Sequence, residues 1–111
     1  MGNSLSRVQT IYVGALTGEP GFGRKLIEAL QRLGRFEFTE DNARADAILT
    51  ADGDDQEQAF VGSATLSDPQ GRVLWSAKET RPHGGAGPMA YERLVTQLTA
   101  ALALPEESRA V

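Results

Sequence analysis

No cysteine occurs among the 111 residues. That excludes a disulfide framework, a thiolate nucleophile and a cysteine-held metal, and it removes redox compartment as a clue. Histidine occurs once, as His83, and tryptophan once, as Trp75. Positive charge is scarce. Eleven Lys and Arg stand against 15 Asp and Glu, a net charge of −4, which disfavours nucleic acid and anionic membranes as partners. Apolar runs are short, and none approaches the ~18 residues of a transmembrane helix. The first ten residues, MGNSLSRVQT, hold no apolar stretch of the kind a secretory signal has. Taken as it stands, that start keeps the chain in the cytoplasm. A chain already cut from its signal peptide would read the same.

What is present reads as an ordinary globular chain. Hydrophobic residues make up 41% and charged residues 23%, and the length suits one domain whose core needs no metal or disulfide. The expected division is a flexible leader at 1–6, one α/β domain at 7–104 and a flexible tail at 105–111. The leader MGNSLS also fits the N-myristoylation pattern, with Gly2 behind Met1 and Ser6 at the required offset.

Periodicity supplies the elements. Residues 7–16 (RVQTIYVGAL) alternate and are rich in β-branched side chains, which predicts a strand. Phe22, Leu26, Ile27, Leu30 and Leu33 recur at helical spacing, with Pro20 suited to the first turn and Gly34 to the C-terminal cap. Phe36 and Phe38 mark a short strand, and 46–52 (DAILTAD) a third. An acidic loop, DGDDQE, leads to a fourth strand at 58–67. Asp68-Pro69-Gln70-Gly71 is a turn in which Pro sets its own φ and Gly accepts the left-handed region. It feeds a fifth strand at 72–80, with Val73, Trp75 and Ala77 expected on one buried face. After the Gly/Pro linker RPHGGAGP, the residues Tyr91, Leu94, Val95, Leu98 and Leu102 mark a second amphipathic helix. The order is β-α-β-β-β-β-α. It predicts a two-layer α/β sandwich, a mixed sheet of about five strands with both helices on one face.

No reactive constellation emerges from the spacing. The loop from Gly18 to Lys25 lies where phosphate loops lie, yet Arg24 and Lys25 stand where a P-loop has Lys and Ser or Thr. Leu26 stands where a dinucleotide fingerprint counted from Gly21 needs its third Gly, and Pro20 removes an amide. The acidic loop misses the Gly and Glu positions of a calcium loop. Ser63, in VGSAT, lacks the second Gly of a nucleophile elbow. His83 sits in the linker with no carboxylate beside it in sequence. These readings predict no catalytic residue, no cofactor, no metal and no enzyme. The weak anion site that remains uses Gly21, Gly23 and Arg24.

The segments ADAILT (45–50) and LSDPQGRVLWS (66–76) carry a resemblance. A strand ending in VG, a phrase like the first and a hairpin like the second resemble small bacterial envelope domains of the curli-secretion-channel (CsgG-like) and TolB N-terminal type. The matching residues include Leu66, Asp68, Gly71, Val73, Leu74, Trp75 and Ser76, and the likeness covers about residues 8–104. It implies an α/β domain of the periplasm or cell envelope that acts through protein partners. These include copies of itself or outer-membrane-associated machinery, with no catalysis. The chain lacks a lipid-attachment cysteine and is too short for the membrane-inserting hairpins of the secretion channel.

The reading is a non-catalytic protein-interaction or assembly module of the bacterial envelope. The alternative is a small-ligand or anion-binding domain using the loop at 18–25. The uncharged strand around 59–66 is expected to offer a surface for strand addition or face-to-face packing if it is an edge or if its outer face is exposed, with Tyr12, Phe60 and Val61 as its residues.

Overall fold

A computed structural model describes residues 5–84 and 87–103. The elements run β1 (Thr10–Gly18), α1 (Pro20–Arg32), β2 (Glu37–Thr39), β3 (Ala47–Asp55), β4 (Ala59–Ser67), β5 (Val73–Pro82) and α2 (Ala90–Ala103), with 3-10 turns at Leu5–Arg7 and Asn42–Arg44. The sheet order is β2-β1-β3-β4-β5. β1 lies parallel to both β2 and β3, while β3, β4 and β5 form an antiparallel meander. The expected five-stranded mixed sheet with two helices is the fold observed.

Alternation decides which face is covered. On β3 the buried set is Ala47, Leu49, Ala51 and Gly53, and on β4 it is Gly62, Ala64 and Leu66. These residues meet Phe22, Leu26 and Leu30 of α1 and Ala90, Leu94 and Leu98 of α2 in one core. The other face carries Thr50, Ser63, Thr65 and Ser76, with a Thr65–Ser76 hydroxyl contact of 3.3 Å. It suits water, as one face of an antiparallel sheet commonly does. Pro20 opens α1, and Gly34 follows it at φ 69°, both as the pattern predicts. Leu33 does not join the apolar stripe. The helix ends at Arg32, and Leu33, as the cap residue, is 39% exposed.

Three local expectations shift. β3 continues to Asp55, so Gly53 and Asp54 belong to a strand and the acidic turn shrinks to residues 56–58. Leu5, inside the stretch read as a leader, is buried in the core; residues 1–4 and the tail at 105–111 lie outside the described residues. A bulge between β4 and β5 sets Leu66 opposite Trp75 but Ser67 opposite Val73. The extra residue, Leu74, packs against the core, while Val73 turns to the open face at 62% exposure.

Trp75 faces the helix layer opposite Leu66, as expected, but it is half-buried rather than largely buried. It stands on an edge strand, so no further strand among the described residues shields its outer side. Trp75→Ala should therefore cost about 2 kcal/mol, below the ~3–5 kcal/mol of a fully buried aromatic. Urea unfolding measures this, and a loss within the full-burial range would mean that the indole is enclosed.

Candidate functional site

At the end of the sheet where β1 and β3 finish, three glycines fall in one row. Gly18 of β1 faces Gly53 of β3, and Gly53 faces Gly62 of β4. The missing side chains of Gly53 and Gly62 make room for one ring. A Cβ on Gly53 would come within 2.9 Å of Phe22 Cβ and 2.8 Å of Phe60 Cζ, and one on Gly62 within 2.7 Å of Phe22 Cε1. Phe22 thus lies on bare sheet, with Phe60 tilted against it at 48° and a centroid distance of 5.3 Å. This arrangement is aromatic packing in a tilted geometry that the ring quadrupoles favour.

The ring pair floors a cleft of about 250 Å³. Tyr91 and Ala90 from the start of α2 wall it, with Met89 just before them. Charged side chains of both signs line the rest: Glu19 and Lys25 from the start of α1, and Asp55, Arg81 and His83 from the strand ends. Two long-range contacts fix the outer wall. His83 Nε2 lies 3.0 Å from Asp55 Oδ1 and 2.8 Å from the Gln56 carbonyl. Both neighbours accept, so this nitrogen carries a proton and donates. The His83 backbone N–H also donates to the Gln58 carbonyl at 3.1 Å. His83 therefore does have a carboxylate partner. The sequence hides it because Asp55 is 28 positions away and the β4–β5 hairpin closes the gap.

The residues of the expected anion site are not gathered in one place. Gly21 lines the cleft, Gly23 is buried against the Leu16 side chain, and Arg24 is exposed and outside the lining. Helical geometry sets Gly23 apart, since it stands two positions from Gly21 and one from Arg24, and residues so spaced do not share a face. Lys25, one turn beyond Gly21, is the cation that α1 brings to the cleft.

The expected interaction surface is also divided. β4 is an interior strand between β3 and β5, not an edge. Phe60 faces the helix layer, while Tyr12 and Val61 face the other way. Tyr12 is level with Ile48 and Val61 with Asp54, six positions along β3, or roughly 20 Å at ~3.3 Å per residue. They occupy opposite ends of the open face and form no common patch. The acidic side chains are likewise dispersed. Asp52 accepts from the Thr17 hydroxyl at 2.6 Å, Asp54 from the Gln56 amide at 2.9 Å, and Asp55 faces His83. Among the described residues, no group of three or more His, Asp or Glu is placed to hold a metal ion. No helix among them is long and apolar enough to cross a membrane.

No protein-family model matches the chain, and no curated protein matches it. Solved structures of bacterial proteins do match. The PelC dodecamer from Paraburkholderia phytofirmans is 19% identical, covering 91% of this chain and 88% of that one at a TM-score of 0.56. Lipoprotein GNA1162 from Neisseria meningitidis is 12% identical, covering 85% and 96% at 0.54. TolB from Acinetobacter baumannii is 14% identical, covering 86% of this chain and 27% of TolB at 0.52. Identities this low establish a shared fold. At that level they support the envelope-domain resemblance; its curli-secretion-channel part is not shown.

Proposed function

We propose that the chain is a non-catalytic protein-interaction and assembly module of the bacterial cell envelope that associates with copies of itself along its sheet. The observation behind this is the edge of β5, which pairs with no further strand among the described residues. The opposite edge, β2, is three residues long, whereas β5 spans ten. The His83–Gln58 bond sets the phase of the β4–β5 ladder. Counting back in twos, Arg81, Glu79 and Ala77 bond inward to β4, and Thr80, Lys78 and Ser76 point their N–H and C=O groups outward. Such a row is a template for strand addition. Lys78 blunts it only in part. Supporting the reading from outside are the fold shared with a lipoprotein and the dodecameric state of PelC. The polar open face argues against face-to-face packing through Tyr12 and Val61.

The test is molar mass by light scattering over a wide concentration range, for the parent and for Thr80→Pro. Proline there removes an outward N–H and leaves the ladder to β4 intact. The expected result is a parent that associates and a variant that stays monomeric with its thermal unfolding preserved. A parent that is monomeric throughout, or a variant that associates equally, removes the proposal.

A further inference from the structure

The cleft on the Phe22–Phe60 ring pair has the makings of a small-molecule site, and its chemistry narrows the ligand. Its floor is apolar and aromatic, and its volume, about 250 Å³, falls below the ~300–1,000 Å³ of pockets for drug-sized ligands. Its charged lining is divided. Glu19 and Asp55 are acids, while Lys25 and Arg81 are bases. A simple organic anion would be held by Lys25 and opposed by Asp55; a simple cation would meet the reverse. A neutral apolar molecule would cover charged groups without answering them, which costs binding energy. A small zwitterion with an apolar body satisfies all three parts of the lining.

We infer that the cleft binds an α-amino acid with an apolar or aromatic side chain, its carboxylate towards Lys25, its ammonium towards Asp55 and its side chain on Phe22, Phe60 and Tyr91. Asp55 suits this role because His83 holds its Oδ1 at 3.0 Å, so the carboxylate is already oriented and Oδ2 is left to accept. Lys25 suits it because the side chain is exposed at the first turns of α1 and reaches the cleft by its own length. The two faces of the proposal come from different elements. The acid belongs to the end of β3 and the base to α1, and both line the cleft that Phe22 and Phe60 floor. This inference is independent of self-association and would hold for a monomer.

The experiment is a titration with L-phenylalanine, followed by backbone amide shifts and by calorimetry. Three comparison ligands each lack one feature: L-phenylalaninamide has no carboxylate, 3-phenylpropanoate no ammonium, and glycine no apolar side chain. The expected result is saturable binding of L-phenylalanine that moves the amides of Gly21, Gly62 and Ala90. Each comparison ligand should bind at least about tenfold more weakly, the size of effect expected when one charged partner goes unanswered. Lys25→Ala, an exposed position whose change leaves the fold alone, should weaken L-phenylalanine by about tenfold and leave the amide's affinity unchanged. No saturable shift at about 10 mM, well above a millimolar Kd, overturns the inference. So does equal binding of either charge-deleted ligand, or a Lys25→Ala variant that binds as the parent does.

Discussion

Gly18→Ala is expected to cost about 4 kcal/mol, from left-handed strain of ~1–2 kcal/mol and a backbone collision. Gly18 has φ 79°, where an L side chain is strained, and a Cβ built there would stand 2.0 Å from the Gly53 carbonyl oxygen. Neither atom is free to retreat. The Gly53 oxygen also accepts the Glu19 N–H at 2.7 Å, the bond that turns the chain from β1 into α1. Moving it would lift the first turn of α1 and with it Phe22. Gly21, three positions on, is the control. Nothing lies within 4 Å of its would-be Cβ and its φ is ordinary, so Gly21→Ala should stay within ~0.5 kcal/mol of the parent. Urea midpoints at matched slope give both values. A Gly18→Ala loss below ~1 kcal/mol would mean that β1 does not cross β3 this closely.

The same residues show why the fold was legible and the site was not. Strands and helices announce themselves over a handful of neighbouring positions. The alternation at 46–52 and the 3–4 spacing from Phe22 to Leu30 gave the elements, and Pro20, Gly34 and Gly71 punctuated them where expected. The site has no local signature. Gly18 reads as loop, Gly53 as part of an acidic turn and Gly62 as an unremarkable strand residue; only strand register makes them a row. Phe60 looked like half of an exposed pair with Val61, but neighbours on a strand point to opposite faces. Its partner is Phe22, 38 positions away. His83 and Asp55 are joined in the same way. The bulges, at Val13 to Leu16 and at Leu66 to Ser67, have no signal in composition, and the second is what moved Val73 out of the buried set.

The cleft and the β5 edge present two different kinds of surface. The edge offers backbone groups, which recognise any extended chain and take their specificity from side chains on either side. The cleft offers a fixed set of charges around a ring pair, which recognises shape and charge and little else. Both are built at strand ends and edges, whereas the buried middle of the sheet, from Ile11 through Leu49 to Leu66, is devoted to the core. α2 joins them. Its first turn walls the cleft, and Gln97 and Arg93 further along approach Glu79 on β5. A change at Glu79 would loosen the helix that serves both.

The hairpin that carries β5 depends on one buried acid, and Asp68→Ala is expected to cost about 3 kcal/mol. Asp68 opens the turn with its side chain only 1% exposed. Its Oδ1 accepts the N–H groups of Gln70 and Arg72, both at 2.9 Å, and its Oδ2 lies 3.3 Å from Arg72 Nε. The backbone closes around it, with Gly71 N–H donating to the Asp68 carbonyl and Asp68 N–H to the Arg72 carbonyl. Alanine would leave two turn amides without their acceptor and a void where the carboxylate was. The arginine is the lesser part, because its side chain is 66% exposed and solvent screens the pair; Arg72→Ala should cost no more than ~0.5 kcal/mol. Asp68→Asn separates the contributions. It keeps an oxygen for the two amides and sets an amide nitrogen against the guanidinium, so it should fall near half the alanine loss, about 1.5 kcal/mol. Equilibrium unfolding of the three variants decides it. An alanine loss under ~1 kcal/mol, or an asparagine variant no better than alanine, would show that the carboxylate does not hold the turn.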